Sequence, residues 1–417
     1  MNTRIKLAIA ASAAIWMVPM TRAVAGVDVT AGDWKIDFSG NVNAFYVSAS
    51  CDTPTSTTTV AGGLACTGDH SSSVRNGLLP AAFVFSATTR QADFDIDVTI
   101  GFYPGINSSA AAGVNGPGEP AALATPGIDA RQAYFTFGDA SWGTVKMGRD
   151  IGLFGKDAIL DDMTLLGVGT ALANSAPGNT SLGRIGLGYI YTDWEPQITY
   201  TTASFNGFSA SVGVFQPLDT TGYTSHNSPQ IQAGLAYAWG DAKSDPVTGK
   251  VWFDLVDQHL EANSAAIAGD TAAGVSTNFN GWGIDGGVKV DVAAFEAVLY
   301  GYTGKGVGTT GLYILPTSAS GDTRKSDGGY IQGTYKFDKL KLGLSYGISD
   351  LKLADDEQAF QATSDLLKRN ASGVFGAYYS LTKSVTLVGE YIYTKSDAWN
   401  GNSAKERDFA LGGILFF

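Results

Sequence analysis

Beyond its first 25 residues the sequence has no apolar run approaching the roughly 18 residues that a membrane-spanning helix needs. A helical membrane protein is therefore excluded. Cysteine is nearly absent, with only Cys51 and Cys66, and histidine is limited to His70, His226 and His259, which show no metal-ligand spacing. No metal or cofactor is expected. Basic residues are in deficit, 27 Lys and Arg against 39 Asp and Glu, for a net charge of −12. That balance argues against nucleic acid, which would repel it, and favours cations or dipolar solutes. Proline is scarce, at 13 of 417 residues, and charged residues reach only 16%, which together do not describe a disordered chain.

Glycine, tyrosine and phenylalanine are plentiful instead, at 53, 18 and 21 residues. They suit an all-β chain in which polar and apolar residues alternate. The chain opens with Arg4 and Lys6, runs through the apolar stretch Leu7 to Met20, and reaches the small-residue pattern Ala23-Val24-Ala25. This predicts a secretory signal peptide over residues 1–25 and a mature chain over 26–417. Removing Arg4, Lys6 and Arg22, with no acid, takes the formal charge from −12 to −15. In an exported chain an even pair of cysteines predicts one local disulfide, Cys51 to Cys66. A ring of that size stabilises by about 3 kcal/mol when unstrained.

Period-two alternation recurs along the chain. Trp34, Ile36, Phe38, Val42 and Tyr46 share one parity, with Lys35, Asp37, Ser39, Asn41 and Asn43 on the other. The cleanest case sets Phe94, Ile96, Val98, Ile100 and Phe102 against Asp93, Asp95, Asp97 and Thr99. Counting such segments gives about sixteen strands, an even number as a closed single-chain barrel requires. Connections alternate in length. Short turns fall near 89–91, 138–143, 203–207, 291–294, 338–340 and 381–384; long segments fall near 49–73, 104–128, 150–183, 217–229, 262–278, 304–326, 350–369 and 396–406. This asymmetry predicts a transmembrane antiparallel β-barrel with short periplasmic turns and long outer loops. Two stretches are ambiguous: 184–202 is one broken strand or a strand plus part of a loop, and 250–261 continues either as strand or as helix. The chain ends Phe409, Leu411, Gly413, Leu415, Phe417, a terminal strand able to pair with the first and leave no edge in lipid. Trp34, Tyr46, Trp239, Trp282, Tyr391 and Tyr393 are candidates for interfacial girdles.

The stretch Gly148 to Gly169 mixes Arg149, Asp150, Lys156, Asp157, Asp161 and Asp162 with Ile151, Leu153, Phe154, Ile159, Leu160, Leu165 and Leu166. A loop folded against an inner wall packs the aliphatic side chains and aims its carboxylates into open water. A short amphipathic helix on a soluble domain gives the same pattern in isolation.

Three places carry a resemblance: RQAYFTFGDASWGTVKMGRD at 131–150, the following loop to 183 with the strand–turn–strand ITYTTASFNGFSASVGVF at 198–215, and the last strand ending in Phe417. In these, and in layout over the whole mature chain, the sequence resembles the Gram-negative general porin family. It departs from that family in carrying GLFGKDAILDD in place of the usual acidic loop motif, and in lacking basic residues just before the final Phe. The resemblance implies a barrel of sixteen strands assembled as a homotrimer in the bacterial outer membrane, among lipid and lipopolysaccharide, with its third loop folded into the lumen as a constriction. By matching positions it implies an eyelet in which Asp157, Asp161 and Asp162 oppose Arg131, Arg149 and Arg184, with Arg75 a further candidate. Opposed charges about 8 Å apart interact by about 2 kcal/mol at an effective dielectric near 20, enough to orient a dipolar solute without trapping it. Asp93, Asp95 and Asp97 form an acidic ladder on a lumen face, or simply the polar face of a strand.

Gly306-Val307-Gly308-Thr309-Thr310-Gly311 matches a phosphate-loop spacing, but no helix follows, so it is assigned to a flexible loop. No cluster recommends catalysis. The leading expectation is a water-filled porin for passive diffusion of small hydrophilic solutes and ions, mildly cation-selective. A substrate-specific channel and a plugged structural or adhesive barrel are the alternatives.

Overall fold

The computed structural model describes residues 26–107, 128–172, 179–224, 226–262 and 277–417, and within them antiparallel strands close on themselves. The expected signal segment, 1–25, lies outside the described residues. The strands are β1 (Val27–Ala31), β2 (Trp34–Cys51), β3 (Ser71–Arg75), β4 (Ala82–Gln91), β5 (Phe94–Pro104), β6 (Ile128–Asp139), β7 (Gly143–Ile151), β8 (Trp194–Thr202) and β9 (Phe208–Phe215). They continue as β10 (Gln230–Trp239), β11 (Val247–Glu261), β12 (Asn278–Val292), β13 (Phe295–Lys305), β14 (Lys325–Phe337), β15 (Leu340–Lys352), β16 (Leu367–Ser380), β17 (Val385–Ala398) and β18 (Ser403–Phe416).

These make sixteen wall positions. β3 and β4 lie end to end along β2 and count as one position, while β1 pairs with the first residues of β2, beyond the point where β18 stops. Closure comes from β18 returning to β2, with Phe416 opposite Asn41. The final residue is part of the seam: Gly40 N–H donates to the Phe417 carbonyl at 2.8 Å and Phe417 N–H to the Gly40 carbonyl at 3.0 Å.

Alternation explains what faces where. Val42, Leu235, Leu299, Ile331, Leu344 and Leu411 are each more than half exposed on the outer face. An apolar band of that extent would aggregate in water and is satisfied by lipid. Tyr46, Trp282 and Tyr391 share this face. Near the short turns, Trp142 stacks on Tyr200 and Phe208 on Tyr237, with ring centroids 6.3 Å and 4.3 Å apart.

Connections at one end are short, 92–93, 140–142, 203–207, 240–246, 293–294, 338–339 and 381–384; at the other they are mostly long, with 152–193 the longest. The 240–246 turn is absent from the sequence reading. The ambiguous 250–261 stretch is strand: β11 pairs along its whole length with β12, burying Trp252, Val256, Gln258 and Leu260 on its inner face. The third loop runs to Asp193, ten residues beyond the expected boundary, so 184–193 is loop and β8 begins at Trp194. Asp193 adopts φ 72, and that reversal separates the two. The Gly306–Gly311 segment is a loop but a packed one: Tyr191 N–H donates to the Thr310 carbonyl at 2.7 Å, and Val307 is fully buried. Cys51 and Cys66 are joined, with Cα atoms 5.1 Å apart.

Candidate functional site

The described parts of the 152–193 loop, 152–172 and 179–193, lie inside the barrel and carry one helical turn, α1 (Lys156–Leu160), and a 3-10 turn, Met163–Leu166. Its backbone amides need partners, and the inner wall supplies them in circumferential order. Gln232 on β10 accepts from Leu153 and Phe154 N–H at 2.6 and 3.0 Å, and Asp285 on β12 accepts from Gly155 N–H at 2.5 Å. Gln332 on β14 accepts from Met163 N–H at 2.7 Å, while Glu390 on β17 accepts from Val168 and Gly169 N–H at 2.8 and 2.9 Å. Asp408 on β18 accepts from Ala171 N–H at 3.4 Å.

Apolar packing follows the same track. Phe154, Ile159, Leu165, Leu187 and Ile190 join Trp252, Val298, Tyr300 and Tyr330 of the wall in one core. Met163, Val168 and Ala171 pack with Phe45, Val374, Tyr378 and Ile392 in a second. Close approach is built in where Gly77 meets the loop: a Cβ there would sit 2.0 Å from the Gly167 carbonyl oxygen.

The loop carboxylates do not point into open water as expected. Asp157 and Asp162 are only 4% and 3% exposed. The reason is a pair of wall lysines on the inner faces of β11 and β12. Lys250 reaches Asp157 at 2.5 Å and Asp161 at 2.8 Å, and Lys289 reaches Asp161 at 3.4 Å and Glu296 at 2.8 Å. Asp162 instead caps the 3-10 turn, accepting from Thr164 N–H at 2.9 Å, Thr164 Oγ1 at 2.7 Å and the Tyr189 hydroxyl at 3.0 Å. Burial pushes its carboxyl above the ordinary range against the opposing pull of Arg184 and these hydrogen bonds. Asp161 moves the same way, burial outweighing Lys250 and Lys289. For Asp157 burial also pushes upward, but Lys250 and Lys156 outweigh it and hold the carboxyl below its usual value.

The arginines do not form a facing row either. Arg184 belongs to the loop itself and is fully buried, donating to the Ser372 carbonyl at 3.0 Å. Burial lowers its pKa from the ordinary arginine value, with Asp162 opposing. Arg75 on β3 is 1% exposed and donates to the Ala171 and Thr180 carbonyls at 3.1 and 2.8 Å, so it fastens the loop instead of lining an opening. Arg149 shares the parity of Val145 and Met147, is exposed on the outer face, and donates to the Trp194 carbonyl. It is not a lumen residue. Arg131 lies 3.1 Å from Asp129, its guanidinium 5.6 Å from the Tyr103 ring centroid.

Among the described residues the inner faces of β4–β7 supply no acceptor for the loop's backbone amides, although Asp129 on β6 accepts from Asn179 Nδ2 of the loop, and they carry a different charge set. Asp95 and Asp139 bracket Arg90 at 2.6 and 3.0 Å. Asp97 accepts from Thr136 Oγ1 at 3.2 Å; Asp150 accepts from Gln132 Nε2 at 3.1 Å and pairs with Lys146. Of the expected ladder, Asp95 and Asp97 are on this inner face, while Asp93 sits in the 92–93 turn with φ 69. Asp95, Asp97 and Asp150 thus meet two cations on this wall, one of which, Arg90, is shared with Asp139 at the turn end of β6 on the parity of Phe135 and Phe137.

The sequence reading places Asp285, Lys289 and Glu390 on the polar parity of their strands but gives no role to them, nor to Gln232, Gln332 and Lys250, in holding the loop. The available signal was large polar residues on the inward parity of strands β10 to β17. Among the described residues no group of three His, Cys, Asp or Glu is arranged to hold a metal ion.

A family model described as Gram-negative porin matches residues 7–398. No curated protein matches the sequence. Among solved structures, the outer membrane channel DcaP of Acinetobacter baumannii is similar over 94% of this chain and 100% of its own, at 17% identity and a TM-score of 0.65. OmpF of Salmonella typhi, in complex with daunomycin, is similar over 94% and 100%, at 15% identity and a TM-score of 0.55. OmpT of Vibrio cholerae in a trimer form is similar over 92% and 99%, at 11% identity and a TM-score of 0.51. At such identities the likeness is one of fold.

Proposed function

The chain belongs to the Gram-negative porin family and is a channel of the bacterial outer membrane, and from that premise we propose that it passes small hydrophilic solutes and ions by passive diffusion with a mild preference for cations. The observation that carries this preference is the division of charge inside the barrel. Asp157 and Asp161 of the loop meet Lys250 and Lys289, the latter shared with Glu296 of the wall, whereas Asp95, Asp97 and Asp150 on the inner faces of β5–β7 meet only Lys146 and an Arg90 that is shared with Asp139. The uncompensated field therefore belongs to the wall, and the loop sets the cross-section. The proposal includes a cleaved export segment over residues 1–25, assembly as a homotrimer, and transport without catalysis. OmpT of Vibrio cholerae in its trimer form supports the assembly by likeness of fold.

The test is the reversal potential of the refolded protein in a planar bilayer under a salt gradient. Asp97→Asn with Asp150→Asn is expected to reduce cation selectivity clearly, and Asp161→Asn to change it little. An anion-selective wild type, or a larger effect from Asp161→Asn than from the wall pair, would refute the assignment. Silence from a correctly folded barrel would instead favour a plugged one.

A further inference from the structure

The glycine-rich segment Gly306–Gly311 opens a second connection, 306–324, that packs beside the third loop. Its backbone turns back at Gly306, Gly308 and Thr310, with φ of 70, 78 and 66. A Cβ on Gly308 would stand 2.2 Å from the Ile314 carbonyl oxygen, so the fold-back needs glycine there. Two hydrogen bonds close it, from Tyr313 N–H to the Val307 carbonyl and from Thr309 N–H to the Ile314 carbonyl, at 2.8 Å each. Val307, Leu312 and Tyr313 are thereby sent into the core that also holds Leu187, Tyr189 and Ile190 of the third loop.

Contact between the two loops is close and two-sided. Tyr191 N–H donates to the Thr310 carbonyl at 2.7 Å, and Leu312 N–H donates to the Tyr191 carbonyl at 3.1 Å. A Cβ on Gly186 would meet Thr310 Oγ1 at 2.6 Å. The barrel wall holds this limb of the third loop at other points, Gly188 N–H on Ser349 Oγ at 3.1 Å and Arg184 on the Ser372 carbonyl at 3.0 Å, but both backbone groups of Tyr191 rest on the 306–324 loop. The Tyr191 side chain stays half-buried and lies toward Trp194 and the charges of Arg131 and Asp129, on the β4–β7 side of the lumen.

The 306–324 loop is fixed in turn by Arg324, whose side chain is 9% exposed. Its Nε donates to Glu357 Oε2 at 2.9 Å, its Nη2 to Glu357 Oε1 at 2.5 Å, and its Nη1 to the Leu315 carbonyl at 3.3 Å. Its backbone closes the loop as well: Gly306 N–H donates to the Arg324 carbonyl at 2.8 Å, and Arg324 N–H to the Pro316 carbonyl at 2.9 Å. A guanidinium fork on one carboxylate fixes orientation as well as distance, which a lysine ammonium does not. Glu357 belongs to the 353–366 loop, so three connections are joined in series.

We propose that Arg324 is a positioning residue for the channel: it holds the 306–324 loop against the third loop and so sets where Tyr191 stands at the edge of the solute path. The Gly306–Gly311 segment is the grip of that clamp, and its left-handed backbone serves the fold-back that presents the Thr310 carbonyl and the Leu312 amide to Tyr191. The inference rests on the channel reading.

The test combines hydrogen exchange at the Tyr191 and Leu312 amides with single-channel conductance of the full-length refolded protein. Arg324→Met is expected to speed exchange at both amides about tenfold and to shift conductance, at unchanged heat-modifiable gel mobility. Arg324→Lys should restore part of both, and adding Glu357→Gln to Arg324→Met should change little more, since the pair acts as a unit. Gly308→Ala keeps every charge and should give the same two changes by displacing the grip. Tyr191→Ala keeps both backbone bonds and should shift conductance with Leu312 exchange unchanged. Exchange within about threefold of wild type in Arg324→Met, or faster exchange at wild-type conductance, would overturn the assignment. If Gly308→Ala does not fold, the Arg324 and Tyr191 variants decide. A folded wild type without conductance would strike at the channel reading itself, while the exchange rates would still decide whether Arg324 holds Tyr191.

Discussion

Replacing Glu390 by alanine would remove the acceptor that holds the middle of the inner loop. Its Oε2 receives Val168 and Gly169 N–H at 2.8 and 2.9 Å, and its Oε1 receives the Tyr378 hydroxyl at 2.7 Å. The carboxylate is 1% exposed, so in the truncated protein three donors would lose their partner in a site sealed from bulk water. Each buried donor left without a partner costs about 1–3 kcal/mol. Lumen water can enter the vacated volume and rescue part of this, so a net weakening of about 3 kcal/mol is expected. The ladders of β16, β17 and β18 do not depend on the side chain, and the loss should therefore fall on docking of 167–171 and not on the barrel. Since about 1.4 kcal/mol is a factor of ten, the detached population of that segment should rise roughly a hundredfold. Hydrogen exchange of the Val168 and Gly169 amides reads this directly, and single-channel recordings should show added open-state noise at unchanged gel mobility. Tyr378→Phe, which removes only one of the three bonds, should give a much smaller change. Exchange at those two amides within about threefold of wild type would show that the loop is held by its apolar contacts alone and refute the reasoning.

Other changes follow from the same structure. Gly77→Ala places a methyl 2.0 Å from the Gly167 oxygen and 2.8 Å from the Phe45 ring, and should displace the loop at a cost of about 1–3 kcal/mol, read as altered conductance from a normally folded barrel. Cys51→Ser with Cys66→Ser removes a link across a sequence separation of 15 and about 3 kcal/mol of local constraint; nicking within 52–70 by an added protease should rise, although Leu64, Ala65 and Cys66 N–H still donate to Asn370, Ser396 and Glu406. In the 353–366 loop, burial raises the Glu357 carboxyl, but its hydrogen bonds from Arg324 and the Ala354 N–H outweigh this and hold it below its ordinary value. A depressed carboxylate contributes stability that is present above its unfolded pKa and lost as pH falls through the folded one, so the protection of the Ala354 amide relative to its intrinsic exchange rate should fall on acidification, and Glu357→Gln should abolish that dependence.

Much of the barrel was legible because lipid on one side and water on the other impose a period of two on every strand. Turn residues then marked the ends, and the 203–207 and 381–384 turns fall where the sequence places them. The interior was harder. Arg149 was assigned to the lumen by its place in a motif, although its parity with Val145 and Met147 put it outside. Asp157 and Asp161 read as solvated because Lys250 and Lys289, which neutralise them, are 93 and 128 residues away from Asp157 and Asp161 respectively. The 250–261 stretch read as ambiguous because its inward Trp252, Val256 and Leu260 are apolar: this part of the wall is covered by the loop and not by water, which blurs the alternation.

The loop's hydrogen bonds to the wall have a bearing on how the molecule is built. Val168 reaches Glu390 across 222 residues of chain, and Ala171 reaches Asp408 across 237. Arg75 and Leu78 can engage the loop's carbonyls early, but the Val168, Gly169 and Ala171 amides have no wall acceptor until the last strands are in place, so the finished constriction is a late product of assembly. Until then Phe154, Leu165 and their neighbours have no surface to cover them, and a half-built barrel is the species most prone to self-association. Inserted barrels should accordingly appear on gels before steady conductance does, and the interval between the two events measures how long the narrowest part takes to set.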